Sequence, residues 1–91
     1  MSDPLAALRE RFVERARTDL EVLRRPAADP AETARLVHRL SGAAGMFGFA
    51  EVSRLAAAVD DEIHAGGPPS EGALAALIAA VEALPQPGPQ A

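Results

Sequence analysis

Ninety-one residues suffice for one small domain with a single core, burying somewhat over ~60% of the unfolded surface. The chain is 48% apolar but only 3% aromatic, with no cysteine, tyrosine or tryptophan; this leaves no disulfide framework, no thiolate nucleophile and no cysteine-ligated zinc, and favours packed helices over sheet. A formal charge of -4 with almost nothing for bases to stack on argues against nucleic acid. No apolar run approaches the ~18 residues of a membrane span and no leader pattern opens the chain, so a soluble cytoplasmic protein is expected.

Asp3 before Pro4 is an N-cap followed by proline at the first helical position, where its missing N–H costs nothing. The apolar residues Leu5, Leu8, Phe12, Ala16, Leu20 and Leu23 then recur at three and four, predicting a first helix to about Arg25 with one buried face. Pro26 ends it. Asp29-Pro30-Ala31-Glu32 repeats the start signal, with Glu32 placed to reach back as in a capping box. The second helix is predicted from Pro30 to about Met46, with a break at Gly48. Phe49 or Ala50 opens a third, marked by Val52, Leu55, Ala56, Val59 and Ile63 and stopped by Gly66-Gly67-Pro68-Pro69. Ser70 caps a fourth, with Leu74, Leu77, Ile78, Val81 and Leu84 as its stripe and Pro85 as its end. Residues 85–91, PQPGPQA, read as a disordered Pro-rich tail. Four helices with short connections, one stripe each, predict an all-α, antiparallel up-down four-helix bundle over residues 1–84.

The second helix carries the chemistry. At about 100° per residue, Leu36, Leu40, Ala43 and Phe47 form a core stripe flanked by Thr33, Val37 and Ala44, and His38 falls at about 200°, on the solvent side. Its helical neighbours are Ala34, Arg35, Ser41, Gly42 and Gly45, so the imidazole stands beside bare backbone with one arginine and one hydroxyl at hand. Mid-helix glycine costs roughly 0.5–1 kcal/mol relative to alanine, and core packing does not account for two on an exposed face. An exposed imidazole on a rigid helix, with room for another molecule to approach, is what a phosphoryl-accepting histidine requires. Arg35, one turn earlier, is the compensating charge; Arg39, about 100° round the helix, reads as solvated.

His38-Arg39-Leu40-Ser41-Gly42, followed by Gly48, resembles the motif of the histidine-phosphotransfer (HPt) domain family. In that motif leucine follows the histidine at two, lysine usually at three, and glycine at four and ten; Ser41 replaces the lysine. The resemblance implies a four-helix bundle with His38 as phosphoacceptor. It also implies receiver domains of response regulators, or a hybrid histidine kinase, as partners. Ser41 offers one hydroxyl hydrogen bond where lysine offers a charge-assisted one, so a weaker hold on the phosphoryl group is expected.

No acidic cluster flanks His38 in its own helix, so the chain is expected to hold no metal or other cofactor, and Mg²⁺ to come from the partner receiver. Size and the lack of a Gly-rich phosphate loop exclude autokinase and ATPase activity, leaving a monomeric phosphoryl carrier. A docking or structural bundle that binds a receiver or kinase without chemistry is the alternative. A metal site built from His38, His64 and the Asp60-Asp61-Glu62 run lacks the usual ligand spacing, and His64 reads as a cation at a helix C-terminus. Nine arginines meet eight acids up to Arg54, and five acids meet no base beyond it, which places His38 in the half suited to an acidic partner. Met46 and Phe49 read either as docking contacts or as seals at the end of the bundle.

Overall fold

The structure is a computed structural model that describes residues 3–84; the predicted tail at 85–91 lies outside them. Four helices, α1 (Pro4–Arg24), α2 (Pro30–Met46), α3 (Ala50–His64) and α4 (Glu71–Glu82), form the all-α bundle. Each helix packs on its neighbours in chain order, and α4 closes back on α1. The most extensive interface joins α2 and α3.

The helix starts follow the capping signals. Asp3 Oδ1 accepts from the Leu5 amide at 3.0 Å, Asp29 Oδ1 from Glu32 at 3.1 Å, and Ser70 Oγ from Ala73 at 3.2 Å. Only half of the expected capping box forms at Asp29, because the Glu32 side chain makes no return bond. A 3₁₀ turn at Pro26–Ala28 fills the first connection. Buried Thr33 caps it from below, its hydroxyl within 3.4 Å of the Pro26 carbonyl and 3.3 Å of the Asp29 carbonyl.

The turn between α2 and α3 takes three residues. Gly48 adopts φ 87°, in the left-handed region, and its amide donates to the Gly45 carbonyl while the Phe49 amide donates to the Ala44 carbonyl at 2.8 Å. This is the Schellman ending, which satisfies the last carbonyls of α2 and reverses the chain at once. Phe12 meets Phe47 and Phe49, with ring centroids 5.7 and 5.5 Å apart, and the three rings close that end of the bundle.

The core is Phe12, Val13, Ala16, Leu20 and Leu23 from α1, Leu36, Val37, Leu40 and Ala44 from α2, Val52, Ala56 and Val59 from α3, and Leu77, Val81 and Leu84 at the C-terminal side. Leu5 and Leu8 were expected on this face, but they are 55% and 46% exposed. The reason is length: α1 has 21 residues and α4 only 12. At 1.5 Å per residue the first turns of α1 run past anything that could cover them. Arg17 donates to the Leu84 carbonyl at 2.6 Å, and Arg24 pairs with Glu82, which fastens the end of α4 to α1.

Candidate functional site

Burial of Leu36, Val37 and Leu40 fixes the rotation of α2, and His38 then emerges with its side chain 77% exposed. The ring leans towards α3, where its Nδ1 lies 3.1 Å from Asp60 Oδ2. A carboxylate oxygen can only accept, so Nδ1 carries a proton, and in the neutral ring the lone pair is then on Nε2. The Asp60 side chain is only 15% exposed, which holds it rigidly beside the ring.

Asp60 has a second imidazole on its other side. His64, the last residue of α3, places Nδ1 at 2.9 Å from the Asp60 carbonyl and 3.2 Å from Oδ1. The hydrogen bond goes to the carbonyl, and Oδ1, shielded from water, has none. The bond to the Asp60 carbonyl and then the charge of Asp60, with a smaller push from Asp61, raise the His64 pKa above 6.5. The gain in stability is present below that value and is lost as pH rises through the higher folded one. His64 thus does more than sit at a helix C-terminus: it shares a carboxylate with His38.

The other expected site residues fall on two sides of His38. Ser41 turns into the seam with α3: its hydroxyl donates to the Ser53 carbonyl at 3.3 Å, while Ser53 Oγ donates to the Ser41 carbonyl at 2.8 Å. Ser41 makes no hydrogen bond to His38. Gly45 belongs to the same seam, since a Cβ there stands 3.2 Å from Ser53 Oγ. Gly42 is different, with nothing beyond its own stretch of helix within 4 Å of a Cβ at that position. Arg35 is exposed on the α1 side, lining a notch with Arg15, Asp19 and Arg39, and forms no ion pair among the described residues. Arg39 is exposed, as expected, but it also binds both carboxylate oxygens of buried Asp19, at 3.1 and 3.3 Å. Phe49 belongs to the aromatic seal, whereas Met46 is 79% exposed.

The two glycines should therefore respond oppositely to a methyl group. Gly42→Ala is expected to stabilise the fold by roughly 0.5–1 kcal/mol, through helix propensity and a less flexible unfolded chain. Gly45→Ala should fall below it by about 1 kcal/mol, because the methyl disturbs the Ser53 to Ser41 hydrogen bond. Urea midpoints of the two variants test this, and equal midpoints would show that the seam yields freely.

Sequence reasoning met Asp60 only in the metal-site alternative with His38 and His64, and missed it as the hydrogen-bond partner of His38 because it sought support for the imidazole along the histidine's own helix. The available signal was the tight turn at Gly48. Residues about equally far from such a turn face each other on antiparallel helices, as Ser41 and Ser53 do, and one to two turns further out the same rule pairs His38 with Asp60. Among the described residues no group of three or more His, Cys, Asp or Glu side chains is placed to hold a metal ion. No helix among the described residues is long and apolar enough to cross a membrane.

The family model described as Hpt domain matches residues 7–86. Neither the curated proteins nor the solved structures yield a match.

Proposed function

Because the chain belongs to the Hpt domain family, whose members take part in histidine phosphotransfer in phosphorelays, we propose that it carries a phosphoryl group on His38 Nε2 between receiver-domain aspartates. The observation that supports this most directly is the exposed ring whose Nδ1–H is held by Asp60. That bond commits the outward Nε2 to the nucleophilic tautomer without any general base.

In the forward step the Nε2 lone pair forms the N–P bond while the P–O bond to the receiver's aspartyl carboxylate breaks, and the carboxylate leaves with that bond's electron pair. The Nδ1 proton stays, so the ring becomes cationic and its charge faces Asp60. The open space at Gly42 supports close approach of the donor, since transfer depends on in-line placement to within ~1 Å. Arg35 is the side chain proposed to neutralise the phosphoryl oxygens. Ser41 can join it only by releasing the Ser53 carbonyl. The cation needed at the aspartyl phosphate is assigned to the receiver, and the carrier has no kinase or ATPase activity of its own.

Incubation with a phosphorylated receiver should yield acid-labile, base-stable phosphate on His38; binding without label would support a docking bundle instead. Transfer is further expected to stop in EDTA and resume with Mg²⁺, while calorimetry of the isolated carrier shows no tight Mg²⁺ site. A micromolar site on the carrier would contradict this division of labour.

A further inference from the structure

Both imidazoles of the chain converge on one shielded carboxylate. Asp60 Oδ2 takes the Nδ1–H of His38, and Oδ1 stands 3.2 Å from His64 Nδ1 with no hydrogen bond of its own and almost no contact with water. We propose that His64 is a positioning residue for phosphotransfer, acting on His38 through the carboxylate of Asp60 that the two rings share. The proposal rests on His38 being the phosphoacceptor.

Phosphorylation at Nε2 leaves the His38 ring cationic, with Nδ1–H still donated to Asp60. When His64 is neutral the whole negative charge of Asp60 opposes that ring. When His64 is protonated, Asp60 already faces a cation, and the new positive charge is stabilised less. Acceptance is therefore weaker while His64 holds its proton. It recovers as pH rises through the His64 titration, which the Asp60 carbonyl and carboxylate displace above 6.5.

The remaining charges on this side do not remove the coupling. From α3, Asp61 adds a smaller negative contribution at His64, and Glu62 is engaged with the Ser70 amide and hydroxyl. From α2, Arg35 lies one turn before His38 and makes no ion pair among the described residues. From α4, the acids are Glu71 at its start and Glu82, which pairs with Arg24. Asp60 is the carboxylate in contact with both rings.

The test uses the full chain with phosphoramidate as donor, so that no receiver titrates alongside it. In the parent, the ¹⁵N titration of His38 should carry an inflection at the midpoint of His64, as coupled sites do. In His64→Gln that inflection should vanish. Below the His64 midpoint read from the same titration the variant should be phosphorylated on the order of two- to fivefold more fully than the parent, the range given by partly exposed charge pairs, and equally well above that midpoint. In an Asp60→Asn background, His64→Gln should make no difference. Independent titration of the two rings in the parent overturns the proposal, as does a His64→Gln effect that survives Asp60→Asn. A parent that accepts no phosphoryl group overturns the functional reading and with it the role in transfer, while the titration alone decides whether the rings are coupled.

Discussion

His38→Gln should give a folded bundle that accepts no phosphoryl group. The glutamine amide nitrogen has no available lone pair, so labelling is expected to fall by at least on the order of a thousandfold, to background. Stability should stay within about 0.5 kcal/mol of the parent, because the side chain is 77% exposed and a glutamine amide can still donate to Asp60. The paired measurements are acid-labile label from a phosphorylated receiver and a urea midpoint. Label that survived the substitution would locate the phosphoacceptor elsewhere, with His64 as the first residue to replace. A large loss of stability would mean that the ring contributes to packing.

Leu40→Ala, two residues along the same helix, should do the reverse. Leu40 is 1% exposed and ranks among the largest fully buried side chains, so truncation is expected to cost roughly 2–5 kcal/mol in lost burial and cavity. Against a total of about 5–15 kcal/mol for a small domain, that is a large fraction. Molecules that remain folded should still take label on His38, because the imidazole and Asp60 are untouched. Leu5→Ala is the matched control: its leucine is 55% exposed and should lose little. An unchanged midpoint for Leu40→Ala would refute the assignment of its side chain to the core.

These opposite expectations rest on how much of the molecule one sequence reveals. Helix limits were legible because the signals are local chemistry: Asp3, Asp29 and Ser70 each cap the helix they precede, and Gly48 ends α2 where a left-handed residue was needed. The core stripes were legible through their period, and His38 fell outside them as expected. Length relations between helices were not, because a period identifies an apolar face but not whether a neighbour is long enough to cover it; Leu5 and Leu8 are the consequence. The partners of Arg39 and His38 were hidden for a related reason. Asp19 and Asp60 are about twenty residues away in sequence and reach the site only through packing. The division into a balanced and an acidic half also fails to survive folding, because α3 returns along α2 and brings an acid from the second half against the histidine.

The three-residue turn at Gly48 also bears on where the molecule opens. Closing so short a loop costs little chain entropy, and the α2–α3 pair it creates holds the most extensive interface in the bundle. The amides of Leu40, Ala44, Ala56 and Val59 should consequently exchange with deuterium only through global unfolding. Those of Ala7 and Leu8, in the uncovered start of α1, should exchange early by fraying. Native-state exchange at increasing denaturant separates the two classes, and early exchange at Leu40 would refute this order. His38 and Asp60 thus ride on the last part of the chain to come apart, so breathing elsewhere in the bundle leaves their alignment intact.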